Sequence, residues 1–230
     1  KLHGYVRTKR ISVMKVSTDV IFRRLFARHA DLLEIQSDIR AAVEALTTAY
    51  RHGGKLLVCG NGGSAADSEH IVGELMKGFL LPRRVTGEIA EKLLATYPEE
   101  AGQMLSSLQQ AAPAISLVSQ TALMTAFGND ISSEMIFAQQ VLGYGQPGDV
   151  LLAISTSGNS ANVLHAARVA HVKGVKVISL TGKTGGKLKA LSDICICAPT
   201  NITFEIQEYH LPIYHCLCAC VENELFGDAQ

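Results

Sequence analysis

Two side chains in the first third of the chain have the types and the spacing of an acid/base pair. His70 and Glu74 are four residues apart, so in a helix they lie one turn apart on one face and can point at a common atom. On an ordinary surface helix such a pair is a solvated side-chain contact. Beside a ligand-binding loop, the same carboxylate and imidazole suit proton transfer near neutral pH.

A second group of polar side chains stands near the end of the chain and consists of Gln207, Glu208, His210 and His215. In a straight helix Gln207 and His215 would be separated by about 12 Å along the axis and roughly 80° in rotation, which is poor for a shared ligand. Spacing alone pairs Glu208 with His215 on one helical face. Because proline is best tolerated in the first helical turn, Pro212 predicts a regular helix that begins near Tyr209 and leaves Gln207 free to bend inward.

Two stretches rich in glycine and hydroxyl side chains could hold an anion. GNGGSAADSEH follows the apolar run KLLVC, and STSGNSANVLH follows the run DVLLAI. Small residues let backbone N–H groups approach an anion, hydroxyls donate to its oxygens, and the following helix adds its positive end. A single loop of this kind is usually an ordinary strand-to-helix turn, but two after buried strands favour a phosphate site. Because neither loop has the GxxxxGKS/T or GxGxxG pattern of nucleotide-binding loops, we expect a monophosphate ester.

The apolar pattern around these loops predicts an α/β fold, with a parallel sheet of about five strands flanked by helices on both faces. Short apolar runs indicate buried strands, whereas recurrence at three and four residues indicates helices. We expect strands at 55–59, 113–118, 149–154, 176–180 and 194–198, and helices at 18–52, 65–78, 132–142, 161–173 and 187–191, with a last helix ending the chain. Ligands bind such sheets at the carboxyl ends of strands, where both loops fall.

The chain reads as one domain over residues 18–230, with two additions. Residues 1–17 are expected to form an N-terminal arm or leader, because the opening is basic and lacks an apolar pattern. Residues 81–112 carry prolines, many polar side chains and two short helical patterns, and are expected to form a helical insert or lid. The helices before the first strand are expected to pack against neighbouring subunits.

Composition excludes several classes of protein. The formal net charge is zero, and no long run of Lys and Arg marks a face for nucleic acid. No apolar stretch reaches the roughly 18 uncharged residues of a membrane span, and no signal peptide is seen, so we expect a cytoplasmic protein without a membrane partner. The six cysteines form no CxxC pair and are expected to be free core thiols. Cys195 and Cys197 share one face of a predicted strand, as a disulfide or a zinc site would require. Small buried thiols explain the same pattern equally well.

Four ordered blocks resemble one known family. They are GNGGSAADSEHIVGEL, ISTSGNSANVLHAA, GVKVISLTGKTGGKL and IQEYHLPIYH, and they are similar to the phosphoheptose isomerases of the sugar isomerase (SIS) superfamily. The resemblance covers most of the chain apart from its opening and its middle stretch. It implies a flavodoxin-like three-layer sandwich, a homotetramer, and conversion of sedoheptulose 7-phosphate to D-glycero-D-manno-heptose 7-phosphate through an enediol. The resemblance also implies that the product is a precursor of surface polysaccharides such as lipopolysaccharide.

The same resemblance implies roles for individual residues. Glu74 and His215 would carry out proton transfer, and zinc would be bound by His70, Glu74, Gln207 and His215. A set of nitrogen and oxygen ligands suits zinc chemically. The substrate would be bound by Asn61, Gly62, Gly63, Ser64, Glu74, Asn129, Asp130, Ser155, Thr156, Ser157, Ser160 and Gln207. The role of Gln207 depends on the resemblance and not on spacing, and His210 would support the ligands or the fold.

Two other functions would use the same loops. One is a non-catalytic SIS protein that binds a phosphosugar or a protein partner, as in the replication-initiator-associating type. The other is an isomerase or sensor of a different sugar phosphate. The joint presence of His70, Glu74, Gln207 and His215 favours the isomerase. Gly73 stands where the family often has a further acidic residue, and residues 81–112 are longer than the corresponding family loop. These two differences leave the number of carbon atoms in the sugar substrate undetermined.

Overall fold

Five parallel strands form the centre of the protein. The structure is a computed structural model that describes residues 14–227, so the predicted arm at 1–17 lies largely outside the described residues. The strands are β1 (Leu56–Cys59), β2 (Ala114–Ser116), β3 (Val150–Ser155), β4 (Lys176–Thr181) and β5 (Ile194–Cys197), in the spatial order β2-β1-β3-β4-β5. The predicted five-stranded parallel sheet is confirmed.

Helices cover both faces of this sheet. They are α1 (Val16–Arg28), α2 (Gln36–Arg51), α3 (Gly63–Met76), α4 (Glu88–Thr96), α5 (Ala101–Ser107), α6 (Thr121–Phe127), α7 (Ile136–Tyr144), α8 (Ala161–Val172) and α9 (Thr203–Phe226). Short 3-10 turns lie at Ala30–Ile35, Ser133–Met135 and Gly186–Leu191, and a π-type turn lies at Gly128–Ser132. The turn at Gly186–Leu191 occupies the place of a predicted short helix.

Two hydrophobic layers hold the helices on the sheet. Side chains alternate between the two faces of a strand, so Leu56 and Val58 join one layer with α1, α2, α3 and α9, while Leu57 and Cys59 join the other with α7 and α8. Every residue of β1 is buried, as expected for a strand covered on both faces. The protein is therefore the predicted three-layer sandwich.

The beginning of α9 differs from the prediction, which was wrong. The helix starts at Thr203 instead of near Tyr209 and contains Pro212 in its interior. Proline at this place removes the N–H that would bond the carbonyl of Glu208. Because Glu208 is exposed, water can bond that carbonyl instead. Gln207 is consequently fixed on a continuous helix and does not belong to a free segment.

Residues 81–112 contain α4 and α5, in agreement with the two helical patterns in this stretch. An antiparallel bridge between Arg84 and Gln109 joins the two ends of the stretch. The function of the stretch as an insert or lid stays a prediction.

The described residues include all six cysteines and every helix named above. All six cysteines are free thiols, and Cys59, Cys216, Cys218 and Cys220 are buried. Across residues 14–227, no helix combines the length and the apolar character that a membrane span requires.

Candidate active site

The two glycine- and hydroxyl-rich loops meet at one edge of the sheet. From β1 the chain moves to β2 on one side, and from β3 it moves to β4 on the other. The loops after β1 and β3 therefore diverge around a crevice, which is the usual ligand site for this strand order. Asn61 in the first loop and Asn162 after the second exchange two side-chain hydrogen bonds of 2.9 Å. The two loops thus form the walls of one crevice.

The second loop presents hydroxyl groups beside the start of α8. The Oγ atoms of Ser155 and Ser160 are 3.0 Å apart, and α8 begins at the next residue. Ser155 is buried, whereas Ser157 is exposed at the tip of the loop. The backbone carbonyl of Thr156 accepts a hydrogen bond from the N–H of Gly182 at 2.9 Å. A phosphate in this loop would face hydroxyls and the positive end of a helix.

Gly158 shapes this loop through its backbone conformation. Its φ is +63°, a left-handed value that residues with a side chain rarely adopt. An added Cβ would collide with the backbone of Gly185. The carbonyl of Gly158 accepts a hydrogen bond of 2.9 Å from the N–H of Leu188. The glycine thus lets residues 182–186 pack directly against the hydroxyl loop.

Replacing Gly158 with Ala should weaken binding of a phosphate monoester roughly tenfold, because the loop must shift to relieve backbone strain of about 1–3 kcal/mol. Isothermal titration calorimetry measures the change. Gly143→Ala is the matched control, since Gly143 is exposed in α7 and an added Cβ meets no atom within 4 Å. Equal affinities of the two variants would contradict this role of Gly158.

The first loop leads directly into α3 and contacts α9. Gly62 has a φ of +57°, and Gly63 is the first residue of α3. A Cβ on Gly63 would collide with the side-chain amide of Gln207, so this glycine allows Gln207 to lie against the loop. Ser64 is buried, and its N–H donates to the carbonyl of Asn61 at 3.1 Å. The structure thus places Gln207 beside the first loop.

Three side chains with acid/base chemistry cluster between α3 and α9. Nε2 of His70 is 3.3 Å from Oε1 of Glu74, and the rings of His70 and His215 meet edge to face with centroids 5.0 Å apart. Nζ of Lys77 is 3.5 Å from the other carboxylate oxygen of Glu74. Burial lowers the pKa of His215; the charge of His70 adds to this effect and that of Glu74 opposes it. A largely neutral imidazole therefore stands in the same cluster as a carboxylate.

Two residues that the spacing patterns missed orient His70. The hydroxyl of Tyr214 lies 3.0 Å from Nδ1 of His70 and donates to Oδ1 of Asp67 at 3.2 Å. These contacts hold the His70 ring with Nδ1 toward Tyr214 and Nε2 toward Glu74. Burial raises the pKa of Tyr214 and that of Asp67. Nothing in their spacing predicts this pairing, because it depends on the contact between α3 and α9.

Two predicted substrate residues are hydrogen-bonded to each other and, among the described residues, not to the cluster. Asn129 and Asp130 are exposed in the turn after α6, and their side chains hydrogen-bond to each other at 2.9 Å. Within the part of the chain that the structure describes, no hydrogen bond joins either side chain to the two loops or to Glu74. Their part in substrate binding stays a prediction.

The remaining polar residues of α9 are separate from the acid/base cluster. Glu208 is exposed and lines another cavity together with His29, Glu205 and Tyr209, so the structure does not support the pairing with His215 that spacing suggested. His210 is buried, and its Nε2 is 3.3 Å from the carbonyl oxygen of Thr181 on β4. Burial lowers the pKa of His210 to about 4, against the effect of that hydrogen bond. His210 thus connects α9 to the sheet as a structural residue.

A buried ion pair fixes the end of the helix that carries Glu74. Nε of Arg83 donates to the carboxylate of Glu222 at 2.7 Å, and both side chains are buried. The other guanidinium nitrogens of Arg83 donate to the carbonyls of Leu75 at 2.6 Å and Glu74 at 3.1 Å. Carbonyls in the last turn of a helix have no partner within it. Arg83 therefore caps α3 at the residue predicted to be the base.

The Glu222 carboxylate also holds the segment that follows α3. It accepts hydrogen bonds from the backbone N–H groups of Phe79, Leu80 and Leu81 at 2.8, 2.7 and 3.2 Å. Phe79 in turn packs against His215, with ring centroids 5.6 Å apart. One carboxylate on α9 thus ties together α3, the start of the middle stretch and the acid/base cluster.

Comparison with known proteins defines the class of this fold and site. The family model of the SIS domain matches residues 23–93 and 98–182, which include both loops and the acid/base residues of α3. The chain therefore belongs to the SIS domain family, as its sequence blocks predicted.

Individual relatives narrow this class further. A phosphoheptose isomerase of Dechloromonas aromatica is 42% identical over 192 residues, covering 82% of this chain and 85% of the relative. One of Thiobacillus denitrificans is 41% identical over 195 residues, covering 82% and 84%. The solved phosphoheptose isomerase of Neisseria gonorrhoeae has a TM-score of 0.67 at 32% identity, covering 90% of this chain and 94% of that one. The chain belongs to the phosphoheptose isomerases, and it is an isomerase.

Proposed function

We propose that this chain converts sedoheptulose 7-phosphate to D-glycero-D-manno-heptose 7-phosphate, for the heptose of surface polysaccharides such as lipopolysaccharide. The observation that carries the proposal is the cluster of His70, Glu74 and His215 between the two helices that border the loop crevice. Relatives named phosphoheptose isomerase, more than 40% identical over most of the chain, support the same substrate.

The reaction needs one proton moved between neighbouring carbons. The Glu74 carboxylate takes the proton from the carbinol carbon beside the carbonyl, and the electrons of that C–H bond form the carbon–carbon double bond of the enediol. The carbonyl oxygen meanwhile takes a proton from His215, which as a neutral imidazole still carries one N–H. In the second half of the reaction Glu74 gives its proton to the carbon that carried the carbonyl. The hydroxyl on the first carbon then becomes the new carbonyl and gives its proton to His215. Each residue ends in its starting state.

The loops hold the phosphate end of the sugar. Ser155 and Ser160 offer two hydroxyls 3.0 Å apart at the start of α8, and the helix end favours the negative charge. Gln207 lies against Gly63 in the first loop, where its amide can donate to a sugar hydroxyl or to the phosphate. Binding at the phosphate orients the carbonyl end toward Glu74, which lies farther along α3.

We also propose that His70, Glu74 and His215, with Gln207 as a fourth ligand, bind zinc. Among residues 14–227 no three His, Cys, Asp or Glu side chains form a ready-made metal cluster. The donor chemistry nevertheless fits, because Nε2 of His70 and a carboxylate oxygen of Glu74 face each other at 3.3 Å. A nitrogen and an oxygen ligand of these types suit zinc. A bound zinc ion would polarise the carbonyl oxygen of the substrate.

Zinc content tests the metal proposal without reference to activity. Protein purified without chelators should contain about one zinc ion per chain by mass spectrometry of the elements. His70→Ala should contain much less, because it removes one of only two imidazole ligands of the proposed site. His171→Ala is the control, since His171 is exposed on α8. Equal zinc content in all three proteins, or none in the unmodified one, would contradict the proposal.

We further propose that the protein is a cytoplasmic homotetramer that binds no nucleic acid. Val16 and Val20 on α1 are 70% and 53% exposed, and burial against another subunit would remove these apolar side chains from water. The formal net charge of zero gives the protein no excess of positive charge to attract nucleic acid. Light scattering at several concentrations measures the oligomer. A monomer at every concentration would contradict the tetramer.

A panel of pentose, hexose and heptose phosphates tests the reaction itself, with products identified by NMR. Sedoheptulose 7-phosphate should be the substrate with the highest kcat/KM. Faster turnover of a hexose or pentose phosphate would show that the preferred substrate is that sugar phosphate and not sedoheptulose 7-phosphate. Tight binding without turnover of any compound would instead support the non-catalytic alternative.

A further inference from the structure

Two thiols lie side by side on the open edge of the sheet. Cys195 and Cys197 belong to β5, the last strand in the sheet order, and residues two apart in a strand point to the same face. Their Sγ atoms are 3.5 Å apart. Both are half-buried, whereas the other four cysteines are buried. This pair is therefore accessible to small molecules in a way that the others are not.

The surroundings of the pair favour one thiolate beside one thiol. Oγ1 of Thr181 is 3.7 Å from Sγ of Cys195 and 3.6 Å from Sγ of Cys197. The pKa of Cys197 is lowered to about 6, chiefly by the hydrogen bond from Cys195, with help from Thr181 and the Lys189 ammonium and against burial and the charge of Asp38. The same hydrogen bond raises the pKa of Cys195. A thiolate at Cys197 is the nucleophilic form of cysteine.

The backbone permits a bond between the two sulfurs, although a strained one. Residues two apart in a strand have Cα atoms about 6.6 Å apart, which lies at the upper end of the range for disulfides. Strained and exposed disulfides are more easily reduced than relaxed ones. A bond at this place would therefore be reversible by small thiols.

We propose that Cys195 and Cys197 form a dithiol site that reacts with hydroperoxides. The Cys197 sulfur attacks one oxygen of hydrogen peroxide, the O–O bond breaks, and hydroxide leaves, which oxidises Cys197 to a sulfenic acid. The Cys195 sulfur then attacks the sulfenic sulfur and displaces its hydroxyl group, which leaves as water with the thiol proton. In total, two thiols and one peroxide give one disulfide and two molecules of water.

A second pair in the same protein provides an internal comparison. Cys216 and Cys220 lie one turn apart in α9 with Sγ atoms 3.8 Å apart, but both are buried. In both pairs the two sulfurs lie close together, but only Cys195 and Cys197 are accessible from solvent. If proximity were sufficient, both pairs would react alike.

The test treats the native protein with hydrogen peroxide, blocks free thiols with iodoacetamide and analyses chymotryptic peptides by mass spectrometry. The peptide of residues 192–204 should lose two hydrogens at least tenfold faster than the cysteines of α9 lose their thiols. Cys195→Ser should instead retain a sulfenic acid at Cys197 that dimedone traps. Cys216→Ser should react as the unmodified protein does.

Three results would overturn the proposal. The first is equal oxidation rates for β5 and α9, which would mean that the protein opens before it reacts. The second is a disulfide that persists in Cys197→Ser and joins Cys195 to another cysteine. The third is full alkylation of residues 195 and 197 after peroxide treatment.

Discussion

Replacing Glu74 with Gln should lower kcat for sedoheptulose 7-phosphate by about 10³-fold, while KM changes by no more than a few-fold. The amide has the size of the carboxylate and can still contact His70 and Lys77, so the substrate should bind. It cannot accept the proton from carbon, and loss of a general base typically costs factors of this size. Steady-state kinetics with NMR detection of the product measures both parameters.

The control for this variant is Glu91→Gln, because Glu91 is an exposed carboxylate on α4. It should retain the turnover of the unmodified protein. If Glu74→Gln turned over substrate at a rate within tenfold of that level, Glu74 would not be the base. A large rise in KM with unchanged kcat would assign it to binding instead.

The second large effect concerns the fold around the site. Replacing Arg83 with Met should lower the free energy of unfolding by about 3–5 kcal/mol, because the buried carboxylate of Glu222 loses its partner. The carbonyls of Glu74 and Leu75 lose their donors in the same substitution. Unfolding in urea, followed by circular dichroism, measures the change. Turnover at temperatures where the variant is folded should also fall, since the end of α3 is no longer fixed.

The neighbouring residue provides the matched control for this substitution. Arg84 is exposed, so Arg84→Met should change the free energy of unfolding by less than about 0.5 kcal/mol. Arg83→Met combined with Glu222→Gln should be more stable than Arg83→Met alone, because a neutral amide is less costly to bury than an unpaired charge. Equal stability of the Arg83 and Arg84 variants would show that the ion pair contributes little.

The central strands of the sheet could be predicted because they are short apolar runs that are buried on both faces. The run from Leu56 to Cys59 and the run from Val150 to Ser155 are examples. The start of α9 could not be predicted in the same way. Proline usually marks the first turn of a helix, but here Pro212 lies in the interior at the cost of one backbone hydrogen bond. Local preference was overridden by the packing of the whole helix.

In the candidate site, too, contacts within one helix could be predicted from the sequence, whereas contacts between distant segments could not. His70 and Glu74 could be paired from their spacing because both lie on one helix. His215 joins this pair only through the resemblance to a family, and the contact between α3 and α9 explains why it lies with them. The residues Arg83 and Glu222 are 139 positions apart, and no periodic pattern connects such distant partners. Only the fold brings them together.

The proposed mechanism depends on one claim, that Glu74 moves the carbon-bound proton of a heptose phosphate while His215 exchanges a proton with the neighbouring oxygen. The most direct measurement is incorporation of deuterium from D₂O into sedoheptulose 7-phosphate and its product, followed by proton NMR. The unmodified protein should introduce one deuterium at a carbon of the enediol, and Glu74→Gln and His215→Gln should each slow this exchange by a hundredfold or more. Exchange at the unmodified rate in either variant would contradict the claim.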